Sequence, residues 1–179
     1  MTAQTAGNGA TVSRKPHAQL PSLLPRLVAF ARTLIGDADR ARDLVQEAAA
    51  RALAARNVPV DAPAYRAWAF KIVRNAALDE LRARNQRQPV DHEPAVDLWR
   101  FDDAYIAKIT VEQGLATIGP AHREIIGLID IAGFSYAETA ELLGVPAGTV
   151  MSRIARARSA LLQAIESSSV RPLKSSHGT

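Results

Sequence analysis

Ser135–Leu161 reads SYAETAELLGVPAGTVMSRIARARSAL, and its grammar is that of two helices joined by a tight turn. Ser135 followed three residues later by Glu138 is a capping box, S-x-x-E, which starts a short helix over residues 135–143. Gly144-Val145 turns the chain, and Pro146 opens a second helix whose inward stripe is Val150, Ile154, Ala157, Leu161 and, one turn on, Ile165. Stepping about 100° per residue from Val150 turns Gly148, Ser152, Ala155, Arg156 and Ser159 outward, with Thr149, Met151 and Arg153 on the flanks. Between Pro146 and Gln163 there are three arginines (153, 156 and 158) and no acid. A small, polar, Arg-bearing face lets a helix lie deep in a DNA major groove. Gly148 and the free N–H groups of the first turn suit a phosphate. The alternative at this stage is a structural helical hairpin with a solvated basic face.

Helical periodicity extends upstream. Ile106, Ile109, Leu115 and Ile118 form one stripe, which stops at Gly119-Pro120. Pro120 starts a helix bearing Ile125, Ile126 and Ile129, with Gly133 as its C-terminal cap. Residues 88–103 break the pattern: they hold Pro89, Pro94 and five acids (Asp91, Glu93, Asp97, Asp102 and Asp103) against one strong base, Arg100. That composition is an acidic linker.

Before the linker, three helical stripes make a second unit. The first runs Leu20, Leu23, Leu24, Leu27, Ala31, Leu34 and Ile35, ended by Gly36. Asp37 or Asp39 caps the next, whose stripe is Ala41, Leu44, Val45, Ala48 and Ala52. After a loop at residues 57–63, Asp61 caps a third helix with Pro63 in its first turn, carrying Trp68, Ile72, Val73, Ala76 and Leu81. The expected architecture is all-α, with a tail over residues 1–19, a three-helix domain over 20–87, the linker over 88–103, a helix-turn-helix domain over 104–166 and a tail over 167–179.

Composition agrees with a helical chain. Of 179 residues 47% are hydrophobic but only 5% aromatic, so the cores are built from Leu, Ile, Val and Ala. Net charge is +4, compatible with a polyanionic partner. The chain has no cysteine, hence no disulfide and no thiolate metal site or nucleophile. His17, His92, His122 and His177 are scattered, and no Gly-rich phosphate loop or nucleophile elbow is present. No enzyme, metal or cofactor is expected. The apolar runs are too short to cross a bilayer and no signal-peptide core follows Met1, so the expected compartment is the cytoplasm.

The stretch HREIIGLIDIAGFSYAETAELLGVPAGTVMSRIARARSALL (residues 122–162) resembles the region-four domain of the extracytoplasmic-function (ECF) group of bacterial sigma factors. GDADRARDLVQEAAARAL (36–53) followed by YRAWAFKIVRNAALDELRAR (65–84) resembles that group's region two. The resemblance spans about residues 20–165. It implies core RNA polymerase and promoter DNA as partners, with an anti-sigma protein as external control and a free chain that is monomeric.

The resemblance also implies residue roles. Asp43, Gln46 and Glu47 lie off the apolar stripe of the D-L-V-Q-E helix, where members of the group dock on the polymerase clamp. Tyr65, Arg66, Lys71, Arg74 and Asn75 supply planar, amide and cationic groups for a single-stranded −10 element, with residues 57–65 as a loop that receives a flipped base. Trp68 reads as core, and Phe70 as an alternative facing the strand. Gly148, Thr149, Met151, Ser152, Arg153, Ala155 and Arg156 correspond to the readers of a duplex −35 element, with Arg153 nearer the phosphates. Met151 stands where many members carry a basic residue; it can touch a thymine methyl but cannot read guanine. In members of the group the linker threads the polymerase's RNA channel; a solubilising spacer is the alternative. Two rival functions remain open: a free-standing helix-turn-helix regulator, which would bind duplex DNA alone as a dimer, and a sigma mimic that sequesters an anti-sigma protein without touching DNA.

Overall fold

The computed structural model describes residues 17–86 and 103–169. The acidic linker and most of both expected tails lie outside the described residues. Among the described residues seven α-helices follow one another: α1 (Leu20–Ile35), α2 (Ala38–Ala54), α3 (Ala62–Gln86), α4 (Asp103–Thr117), α5 (Pro120–Ile126), α6 (Tyr136–Leu143) and α7 (Ala147–Ser169). Among the described residues there is no strand. The chain is all-α, as its periodicity predicts.

The helix boundaries follow from local chemistry. Gly36, at φ 81°, ends α1, and its N–H returns to the Arg32 carbonyl at 2.8 Å. Asp37 then starts α2 by accepting the Arg40 amide at 2.9 Å. Asp61 does the same for α3, accepting the Ala64 amide at 3.1 Å. At Ser135 both halves of the capping box form: the Ser135 hydroxyl accepts from Glu138 N, and Glu138 accepts from Ser135 N at 2.7 Å. Such a box satisfies donors that no intrahelical carbonyl can reach.

The α1–α3 bundle closes over Leu23, Leu27, Phe30, Leu34, Ala41, Leu44, Val45 and Ala48. Its third face differs from the expected stripe. The fully enclosed line on α3 is Tyr65, Ala69, Phe70, Val73 and Ala77, whereas Trp68, Ile72 and Ala76 are only partly buried. The stripe is rotated because α3 has neighbours on two sides: α1 and α2 on one, α6 on the other. Phe70 therefore lies between the rings of Phe30 (5.4 Å) and Phe134 (5.0 Å, edge to face) and does not face solvent.

A second core lies around α7, where Ile118, Ile125, Ile126, Val150, Ile154 and Ala157 pack together. Gly127–Ile131 continues α5 as a π-helical turn, a feature the apolar period does not predict. The turn rests on α1. A Cβ at Gly127 would stand 2.8 Å from the Phe30 ring and 3.6 Å from Thr33 Cγ2, so only glycine permits this approach.

The two units thus meet in a seam, and charged groups line it. Arg32 pairs with Glu112 at 2.7 Å and Arg74 with Glu124 at 2.7 Å. Elsewhere in the bundle, Arg40 grips Glu80 through two contacts of 3.2 and 2.9 Å. Hydrogen bonding from Arg40 holds the Glu80 carboxyl below the usual carboxylate range, outweighing the opposing effect of its burial.

Candidate nucleic-acid and polymerase interfaces

Helix α7 divides cleanly into two faces. Val150, Ile154 and Ala157 are buried at 2% exposure or less, while Met151, Ser152, Arg153, Ala155 and Arg156 are exposed, Met151 at 54%. The Ser152 hydroxyl donates to the Thr149 carbonyl at 3.0 Å, and Arg156 Nε to the Ser152 carbonyl at 3.2 Å. These are weak local tethers that a base edge can replace. Arg158, the third arginine of the helix, is held by Asp130 at 2.5 and 3.2 Å. Arg153 and Arg156 make no ion pair among the described residues.

The turn before α7 sets the angle of that face. Gly144 adopts φ 65°, which a residue with a Cβ enters only at a cost, and its N–H returns to the Ala140 and Glu141 carbonyls. Pro146 O accepts the Thr149 and Val150 amides at 2.9 and 3.2 Å. Ala147 and Gly148, both exposed, therefore head the helix ahead of its first hydrogen bond, where orphan amides accept an anion.

The outward side of α2 carries acids and arginines together, Arg42 and Arg51 among them. Asp43, Gln46 and Glu47 are all exposed beside the buried Leu44, Val45 and Ala48. Glu47 stands 3.8 Å from Arg51 and 3.9 Å from Arg40.

The residues expected along α3 do not form one exposed set. Lys71 and Asn75 are exposed. Tyr65 is fully enclosed; its ring contacts Trp68, and its hydroxyl lies 3.2 Å from His17 Nδ1 in the turn leading to α1. Burial raises the Tyr65 pKa above that of a free phenol. Arg66 and Arg74 are half-buried and face the seam. Arg66 donates to the Ala132 carbonyl at 2.7 Å, lies 3.9 Å over the Phe134 ring and approaches Glu138 at 3.7 Å. Between the head of α3 and α6 there is a cleft of about 510 Å³, lined by Asp61, Pro63, Trp68, Lys71, Glu138 and Glu141 among others.

Sequence reasoning missed Glu124 and the second role of Glu138. Glu138 reads as a cap alone, yet its other oxygen points at Arg66. Hydrogen bonding to Ser135 lowers its pKa first, with Arg66 adding to the effect. No group of three or more potential metal ligands occurs among the described residues, and none of their helices is long and apolar enough to cross a membrane.

A three-helix bundle, followed by a helix-turn-helix whose second helix exposes a small-residue, Arg-bearing face, defines a modular all-helical protein. Residues 21–87 match the family description Sigma-70 region 2, and residues 111–161 match Sigma-70, region 4. The chain is 38% identical over 144 residues to the ECF RNA polymerase sigma factor EcfG of Rhodopseudomonas palustris, covering 77% of this chain and 78% of that protein. It is 32% identical over 141 residues to ECF RNA polymerase sigma factor SigC of Mycobacterium tuberculosis, covering 76% and 74%.

Two solved structures are similar across both units. One is the sigma factor RpoE of Bartonella quintana in complex with the anti-sigma factor NepR, with TM-score 0.61, 30% identity and coverage of 83% of this chain and 94% of that one. The other is CnrH in complex with the cytosolic domain of CnrY, with TM-score 0.64, 26% identity and coverage of 85% and 88%. The chain belongs to the ECF group of the sigma-70 family of RNA polymerase sigma factors.

Proposed function

We propose that this chain carries core RNA polymerase to a defined set of promoters, reading a duplex −35 element with α7 and holding a melted −10 element along α3. The observation that carries the reading is the division of α7 into a packed apolar stripe and an exposed small-residue, Arg-bearing face, in a chain of the sigma-70 family. On that face Ser152, Ala155 and Arg156 read base edges, Met151 touches a thymine methyl, and Arg153 with the Gly148–Thr149 turn meets phosphate. Lys71, Arg74, Arg66 and Asn75 serve the displaced strand, and Tyr65 acts from beneath by fixing the head of α3. The chain works in the cytoplasm as a binding protein and not an enzyme. An anti-sigma protein controls it, in keeping with the complexes formed by its two structural relatives.

Asp43, Gln46 and Glu47 form the docking surface for polymerase. Asp43→Arg with Glu47→Arg is expected to weaken association with core polymerase at least tenfold while leaving helicity unchanged, because neither side chain touches the core. The measurement is pull-down of core polymerase alongside far-ultraviolet circular dichroism. Undiminished pull-down by the double variant would remove α2 as the docking surface.

A further inference from the structure

Val150, Ile154 and Ala157 bury one side of α7, but apolar contact is non-directional. It presses the helix onto its neighbours without closely specifying its rotation. The contact between Arg158 and Asp130 is directional. Arg158 Nη2 donates to Asp130 Oδ1 at 2.5 Å and Nε to Oδ2 at 3.2 Å, a side-on pairing that fixes angle as well as distance. Hydrogen bonding to Asp130 raises the Arg158 pKa first, and the Tyr136 hydroxyl adds to the effect. These three residues come from three elements: Asp130 from the π-helical turn, Tyr136 from the head of α6 and Arg158 from α7.

The placement of the pair suits a tether. At 3.6 residues per turn, Arg158 stands about 40° round α7 from Ile154 and roughly 160° from Arg156. It therefore holds the helix from beside the packed stripe and away from the exposed face. Asp130 lies inside the π-helical turn, where the Ala132 N–H returns to the Gly127 carbonyl at 2.8 Å. Such turns move side chains out of the α period and recur at functional sites. The side chains of Arg158 and Asp130 are 50% and 34% exposed, and a pair so open to water adds little to stability. What it supplies is geometry.

We propose that Asp130 is a positioning residue for −35 recognition: through Arg158 it sets the rotation of α7, and with it the angle at which Arg156 meets a base. This rests on the assignment of −35 reading to α7. Loss of the tether leaves the helix packed on its stripe but free to roll, so that a bidentate contact forms in fewer molecules.

Transcription by the full chain with core polymerase across randomised −35 elements, scored by position, reads the tether. Asp130→Ala and Arg158→Ala are each expected to reduce the preference that depends on Arg156 about fivefold, a part of what a bidentate base contact discriminates. Urea midpoints stay close to the parent's, because the pair is exposed. The exchanged pair, Asp130→Arg with Arg158→Asp, restores most of the lost preference, which a role for either side chain alone does not allow. In an Arg156→Ala background, Asp130→Ala brings no further loss at the same positions, since the two residues act on one contact.

Uniform loss over all promoters with Arg158→Ala, while Asp130→Ala is neutral or strengthens promoter binding, overturns the tether and makes Arg158 a phosphate contact that Asp130 restrains. Positional preferences unchanged in both single variants make the pair a passive surface contact and overturn the proposal equally. If Arg156→Ala leaves every preference intact while Asp130→Ala still flattens some position, the Arg156 assignment fails and the tether stands.

Discussion

Arg156→Ala is expected to flatten discrimination at one or two positions of the −35 element, whereas Arg153→Ala lowers output from all promoters about equally. Ser152 and Arg156 lie one helical turn apart on the exposed side of α7, opposite the buried Val150 and Ile154. Both therefore reach base edges without disturbing the core. A bidentate arginine–guanine contact discriminates by about 1–3 kcal/mol, or roughly tenfold to more than a hundredfold between bases. Phosphate contacts contribute affinity and carry no sequence information. Arg158 is paired with Asp130, whereas Arg153 and Arg156 make no ion pair among the described residues, so the reading is placed on Arg156 and its neighbours. Transcription with core polymerase across a library of randomised −35 elements, scored by position for each variant, measures this. A uniform loss with Arg156→Ala, every positional preference intact, would mean that α7 does not read sequence through this residue.

The largest stability effect is expected at Phe70. Its ring is fully enclosed and touches Phe30 within its own bundle and Phe134 of the helix-turn-helix unit. Removing a buried phenyl ring costs about 3–5 kcal/mol, from lost transfer free energy and the cavity left behind. Phe70→Ala is accordingly predicted to lower the urea midpoint strongly and to loosen the seam as well as the bundle. Met151→Ala removes a side chain that is 54% exposed and should stay within about 0.5 kcal/mol of the parent. Urea denaturation followed by circular dichroism compares the two, and equal midpoints would contradict the central place given to Phe70.

The sequence made the helices legible because their signals are local. Asp37, Asp61 and the Ser135–Glu138 box mark starts by chemistry confined to one turn, and each forms as expected. The two faces of α7 were legible because its neighbours α4, α5 and α6 share a single buried stripe, which leaves a simple period of 3.6 residues. The surface of α3 was not, because it packs on both sides, and a second neighbour adds a stripe that no single period describes. Tyr65 and Phe70 went inward for that reason, and Trp68 went to the margin. The seam itself is a long-range fact. Arg66 and Glu138 lie 72 positions apart in the chain, and Arg74 and Glu124 lie 50 apart, so nothing in either neighbourhood announces the other. The π-helical turn left no mark in the apolar period either, and the close approach at Gly127 emerges only from the packing on α1.

Run-off transcription with purified core polymerase decides whether this chain directs promoter-specific initiation. A template pool carrying promoters from the source genome is transcribed by core polymerase alone, by this chain alone, and by the two together. Discrete, salt-sensitive transcripts are expected only from the combination, with the free chain binding duplex DNA poorly. Tight, sequence-specific binding of duplex DNA by the chain alone as a dimer, with no transcripts from the combination, would contradict it and identify a free-standing regulator.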